Sequence, residues 1–172
     1  IVDHCRQRGV AVFKVGQDIR IEDVTPRPDG QTFRVQGRHG TYPLATRLLG
    51  RHQAVNAATA VGLAEALMEQ GLPVRPEAFP QGAAETFWPG RFERISRCPL
   101  IIVDGAHNPE SMRILKETVK DHYPDKRVLV VLAVSADKDL RGIAGHLQGL
   151  ASLIMCAGLL VATAITTCAG EQ

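Results

Sequence analysis

Apolar and polar residues change rhythm several times along the chain, and each rhythm predicts a different element. Residues 1–8 read as the end of a helix stopped by Gly9, and Val10 to Val15 as a short strand after it. Asp18 to Glu22 and Thr32 to Gln36 alternate in polarity on either side of Thr25-Pro26-Arg27-Pro28-Asp29-Gly30. Proline presets φ there and glycine accepts a positive one, so a hairpin-like pair is expected. Thr41 to Leu49 adds a strand through a further turn at Arg38-His39-Gly40. From Leu48 to about Gln70 the pattern becomes an alanine-rich helix stopped by Gly71, with Pro73 beyond. Its predicted core stripe is Val55, Ala58, Thr59, Gly62, Leu63, Ala66 and Leu67.

Pro73, Pro76 and Pro80 then permit only short helical pieces. At Phe87-Trp88-Pro89-Gly90 a turn signal meets a shift from helix to strand, which places a domain boundary between residues 1–87 and 88–172. Trp88, the single tryptophan, is expected to pack at that junction. Beyond it, the five positions Pro99 to Val103 read as a buried strand whose carboxyl end opens directly into the polar residues from Asp104 to Glu110. Open α/β sheets place their ligands at that end. Asn108 is an expected N-cap and Pro109 a first helical residue, so a helix starts at once with unpaired N–H groups that favour an anion. This helix runs to about His122 with Met112, Leu115 and Val119 inward, and Arg127 to Val134 is a second strand, completing a βαβ unit. A charged loop, Ser135-Ala136-Asp137-Lys138-Asp139, leads to a further helix over about Leu140 to Leu150. The segment Gly142 to Gly170 has no Lys, Arg, Asp or Glu and is expected to hold a core strand followed by an altered end rather than a membrane span.

With 172 residues, 45% hydrophobic and 22% charged, the chain has room for a real core and excludes a disordered tail, a collagen-like repeat or a disulfide scaffold. Lys and Arg total 20 against 18 Asp and Glu, a net charge of +2 that calls for neither nucleic acid nor a membrane surface. The four cysteines form no Cys-x-x-Cys pair and are expected to be reduced, buried small hydrophobes; the six histidines form no His-Glu-x-x-His. No metal site is expected from this chain. The first residues, Ile1 to Gly9, carry charges where a signal peptide has its apolar stretch, so the chain is expected to begin inside a domain.

Several side chains bear either of two readings. Asn56, one helical turn after His52, could bond only local backbone, or donate and accept at an adenine edge. Arg91 could be an ordinary solvated arginine or grip a phosphate or ribose. Asp104 and His107 could cap and brace their turn, or act on a ligand there.

Four motifs then carry a resemblance: Leu-Gly-Arg-His-Gln-Ala-Val-Asn-Ala-Ala at 49–58, Trp-Pro-Gly-Arg-Phe-Glu at 88–93, Asp-Gly-Ala-His-Asn-Pro at 104–109 and Ala-Asp-Lys-Asp at 136–139. In this order they resemble the downstream part of the folylpolyglutamate synthase/dihydrofolate synthase family of the Mur ligase superfamily. Gln53 and Gly105 favour the folate branch, because related Mur ligases and cyanophycin synthetase usually carry His-Asn in the first motif and tyrosine before Ala-His-Asn in the third. The resemblance implies an α/β chain holding the C-terminal part of a Mur ligase central ATPase domain, followed by an incomplete Rossmann-like open parallel-sheet domain.

It also implies a cytoplasmic, monomeric ATP-dependent amide ligase that uses Mg2+ and adds L-glutamate to a folate or to dihydropteroate through an acyl phosphate. By carry-over, Asn56 would meet the adenine, Arg91 the phosphates or ribose, and Asp104 the nucleotide. His107 would lie near the incoming glutamate or the transferred phosphate. Lys138 and Asn108 are lesser substrate or phosphate contacts, and His52 positions the helix start. No Gly-x-x-x-x-Gly-Lys-Ser/Thr occurs, so the phosphate-cradling loop and the family's upstream metal ligands lie outside this sequence, and the chain is expected to be a fragment inactive alone. Two alternatives stay open: another Mur-type ligase, of the UDP-MurNAc-peptide or cyanophycin type, and a non-catalytic nucleotide-binding module.

Overall fold

A computed structural model of the protein describes residues 1–157 and the backbone of residues 162–167. The chain divides into two units, Ile1–Phe87 and Trp88–Gln172.

In the first unit, helix α1 (Val2–Gln7) ends where the N–H groups of Gly9 and Val10 return to the carbonyls of Arg6 and Cys5, a closure helped by the positive φ of Gly9. Val10 to Val15 does not form the expected strand. Only Val15 pairs, in an isolated bridge to Ile19, and apolar alternation without a neighbouring ladder makes no strand. Strands β1 (Arg20–Arg27), β2 (Gly30–Gln36) and β3 (Thr41–Thr46) form an antiparallel sheet in that order. Arg27 pairs directly with Gly30, so the first turn is only Pro28-Asp29, and Pro26 and Arg27 join the strand. Gly30 is required: its φ is positive, and a Cβ there would collide with the Thr46 carbonyl oxygen.

Helices α2 (Arg51–Glu69) and α3 (Ala78–Glu85) belong to the same unit. Ile19, Phe33, Val35, Tyr42 and Leu44 from the sheet side meet Ala54, Ala58 and Val61 of α2, and Tyr42 stands edge-on to Phe79 of α3 with ring centroids 4.7 Å apart. The buried residues of α2 are Gln53, Ala54, Ala58, Val61, Gly62 and Glu65. The expected stripe is therefore corrected: Val55, Thr59 and Leu63 are exposed, and the helix is turned so that Glu65 lies inside.

The second unit holds β4 (Glu93–Arg97), β5 (Leu100–Asp104), α4 (Pro109–His122), β6 (Val128–Ala133), α5 (Leu140–Leu147), β7 (Ala151–Cys156) and β8 (Ala162–Thr167). The sheet is open, in the order β4-β5-β8-β6-β7. It is mixed rather than parallel throughout. Strands β5, β6 and β7 share one direction, as a βαβαβ succession demands, while β4 is antiparallel to β5, and β8 lies antiparallel between β5 and β6. The β5–α4–β6 crossover thus skips one strand position. Ile102, Val128, Val130 and Leu132 alternate into the core, where Met112, Leu115 and Val119 of α4 and Ile143 and Leu147 of α5 are also buried. The two helices pack against one another.

Three further expectations change. Trp88 is 60% exposed and is no buried anchor. Cys98 and Cys156 are exposed and Cys5 is half-buried, because each sits in a turn, an edge strand or a short terminal helix rather than under a sheet; Cys168 lies outside the described residues. The second strand-linked helix ends at Leu147, so β7 starts at Ala151 and is an exposed edge strand rather than a core strand. No described helix is long and apolar enough to cross a membrane.

Candidate functional site

The carboxyl end of β5 gathers most of the candidate chemistry. Asp104 closes the strand, and its carboxylate is divided between two turns: Oδ2 accepts the Phe92 N–H and Oδ1 accepts the Ala106 N–H, both at 2.8 Å. The first of these turns is stapled a second time, since Glu93 Oε2 accepts the Gly90 N–H at 2.8 Å. Phe92 itself has a φ of 49°, a left-handed conformation unusual for a bulky residue. Its buried ring, within 6.0 Å of His122 and 6.3 Å of Tyr123 between centroids, helps hold it there. Arg91 stands between these two pinned residues with its own side chain exposed. Burial holds the neighbouring His122 below the usual imidazole range, against a smaller upward pull from Asp121.

The second turn leads into α4. Asn108 is the N-cap and Pro109 follows at the first helical position, as the sequence predicts. Asn108 Oδ1 accepts the Ser111 N–H at 2.8 Å, and Ser111 Oγ accepts the Asn108 N–H at 3.1 Å, a reciprocal capping box. The same Oγ accepts the His107 N–H at 3.1 Å. His107 Nδ1 lies 2.8 Å from the Gly105 carbonyl oxygen. A carbonyl can only accept, so Nδ1 is the donor in this contact, and in the neutral ring Nε2 is then the nitrogen that holds the lone pair. Sequence reading missed Ser111, whose signal was its position three residues after the N-cap.

The loop after β6 has a local character. Lys138 Nζ donates to Asp137 Oδ2 at 2.9 Å. A hydrogen bond from Ser135, with Lys138 adding, lowers the Asp137 carboxyl to about 2. Asp139 caps α5 by accepting the Gly142 N–H. A Cβ at Gly142 would press on Pro109, so the starts of α4 and α5 lie side by side. Beside them, hydrogen bonds from Arg113 hold the Glu110 carboxyl below its usual range.

The remaining candidates belong to the first unit. Asn56 is exposed, and its Nδ2 donates to Gln53 Oε1 at 3.0 Å, while Gln53 Nε2 donates to His52 Nε2 at 3.0 Å. The three side chains form one chain of hydrogen bonds along the first turn of α2. The start of that helix is held from the sheet, where buried Gln31 donates to the carbonyls of Leu48 and Gly50 at 2.9 and 2.8 Å. Gln31 was not foreseen, because it precedes the expected strand Thr32 to Gln36 and its two acceptors lie 17 and 19 positions along the chain.

Among the described residues no group of three or more His, Cys, Asp or Glu could hold a metal ion. The donor set does not fit magnesium, which requires several oxygen ligands around one point.

Residues 90–168 match the family described as Mur ligase, glutamate ligase domain. The chain is 31% identical over 157 residues to the dihydrofolate synthase/folylpolyglutamate synthase of Bacillus subtilis, an alignment covering 90% of this chain and 36% of that protein. It resembles the solved Mycobacterium tuberculosis folylpolyglutamate synthase complexed with ADP, with a TM-score of 0.84 and 28% identity over 94% of this chain and 36% of that one. It also resembles an FPGS–AMPPCP–folate complex, with a TM-score of 0.81 and 29% identity over 90% of this chain and 38% of that one. The chain therefore spans about a third of the length of these proteins.

Proposed function

The chain belongs to the folylpolyglutamate/dihydrofolate synthase family of the Mur ligase superfamily, and from that premise we propose that it is the glutamate-adding part of an ATP-dependent amide ligase acting on a folate-type acceptor. The acceptor carboxylate takes the γ-phosphoryl group of ATP, giving an acyl phosphate and ADP. The amine of L-glutamate then adds to the acyl carbon, phosphate leaves, and the nitrogen gives up its proton. Such a reaction needs the amine and the acyl phosphate held in line, with donors aimed at developing oxygen charge. Magnesium would be held by residues outside this chain.

The observation that carries this reading is the double grip of Asp104 on the Phe92 and Ala106 N–H groups, inside the region that matches the glutamate ligase domain. One carboxylate sets the backbone beside both Arg91 and His107, a guanidinium and an imidazole suited to phosphate and amine. On this reading Asp104 and Arg91 serve the nucleotide side and His107 the amine or the transferred phosphate. Asn56 meets the adenine, with His52 behind it through Gln53, and Asn108 and Lys138 make lesser contacts. The relatives complexed with ADP and with AMPPCP and folate support the substrate classes. The free thiols of Cys5, Cys98 and Cys156 suit a reducing, cytoplasmic setting.

The 172-residue chain has no phosphate-cradling loop and is not expected to ligate by itself. The test therefore uses the chain joined to an upstream nucleotide-binding domain. Labelled L-glutamate should pass to tetrahydrofolate or dihydropteroate with one ADP formed per amide. Transfer only to an amino-sugar peptide, or nucleotide binding without any transfer, would contradict the proposal.

A further inference from the structure

We propose that Ser111 is a positioning residue for His107: by holding the His107 and Asn108 N–H groups, its hydroxyl fixes the imidazole with Nε2 as the acceptor for the amine of the incoming amino acid. A helix cap needs only part of what Ser111 provides. The capping box uses the Asn108 N–H, whereas the bond from the His107 N–H, at 3.1 Å, reaches one residue further back. The same oxygen donates its proton to the Asn108 carbonyl at 3.0 Å. A hydroxyl has one proton to give and two lone pairs, and all three are engaged.

His107 is consequently gripped from both sides. On the far side Asp104 holds the Ala106 N–H, and the Gly105 carbonyl between them receives Nδ1. With Nδ1 protonated against that carbonyl, Nε2 is the ring atom able to accept. An attacking amine must aim its lone pair at the acyl carbon and turn an N–H elsewhere, and a fixed imidazole lone pair supplies the elsewhere. Alanine at 111 would release two N–H groups at once and let the ring turn. Threonine keeps the hydroxyl.

The kinetic part of this inference rests on the ligase reading; the structural part does not. In the 172-residue chain, nitrogen-15 NMR of the imidazole should show the Nδ1–H tautomer in the wild type and in Ser111→Thr, and a mixture in Ser111→Ala. In the complete enzyme, Ser111→Ala should lower kcat/KM for glutamate about tenfold, with the KM for ATP within about twofold of wild type, since a displaced group slows only the step it serves. Ser111→Thr should restore it. An unchanged tautomer or unchanged glutamate kinetics in Ser111→Ala overturns the assignment, as does an equal loss in the alanine and threonine variants. If the wild-type enzyme adds no glutamate at all, the ligase reading fails, and the tautomer alone decides whether Ser111 holds His107.

Discussion

Glu65 in the first unit and Asp104 in the second use the same chemistry at different depths. Glu65 is fully buried and accepts the N–H groups of Arg38 at 2.8 Å and His39 at 3.0 Å and the Tyr42 hydroxyl at 2.8 Å. It pins the turn between β2 and β3 to the C-terminal part of α2, and Gly37 has no room for a side chain because a Cβ would collide with that carboxylate. Asp104 is half-buried and accepts two N–H groups, each next to a residue with its own candidate role. A buried carboxylate survives only with its acceptor sites filled, so Glu65 can do nothing but hold the fold. A carboxylate at the open end of a strand can organise two turns and still leave their neighbours facing ligand.

If that contrast holds, the largest effect on folding comes from the buried member. Glu65→Ala leaves three donors without an acceptor and should destabilise the first unit by about 3 kcal/mol or more, read as lost hydrogen-exchange protection at Phe33 and Val35. Wild-type protection would break the comparison.

A smaller effect is expected at Tyr42, whose hydroxyl is pushed up to about 12, first by burial and then by the hydrogen bond and charge of Glu65. A tyrosine pKa raised on folding favours the folded state in full below its unfolded value of 10.0, and that contribution disappears as pH climbs through about 12. Stability of the first unit should therefore fall across that alkaline window. Tyr42→Phe should cost about 1 kcal/mol at neutral pH and remove this part of the alkaline loss. An identical alkaline transition in the variant would assign the loss to another group.

Asn108→Ala tests the second unit at an exposed position, the start of α4. Losing the cap should cost about 1 kcal/mol, seen as fraying of the first turn of α4 by hydrogen exchange, with the first unit unaffected. No change would mean that Pro109 and Ser111 hold the helix start without the Asn108 side chain.

These differences also mark what a sequence can carry. The α4 start was legible because Asn108 and Pro109 encode it locally, and the turn at 37–40 because glycine and polar residues interrupt two alternating strands. The buried face of α2 was not. Val55 and Leu63 are apolar yet exposed, and the inward turn of Glu65 depends on donors from residues 38, 39 and 42, more than twenty positions away. The place of β8 between β5 and β6 is equally non-local, since nothing in residues 162–167 specifies which neighbours they pair with. At the site, Asp104 and His107 stood out through a motif. Gln31 and Ser111 did not, because their roles exist only once the backbone groups they hold are brought to them.

The most direct test is glutamate-dependent ADP release by the complete enzyme carrying Asp104→Ala. The account predicts a loss of kcat/KM for ATP of about tenfold to a hundredfold, with hydrogen-exchange protection at Phe33 and Val35 retained, because the turns beside Arg91 and His107 are released while the Glu65 anchor is untouched. Wild-type kinetics in this variant, folded and with the same protection, would contradict the claim that the carboxyl end of β5 works in the ligation.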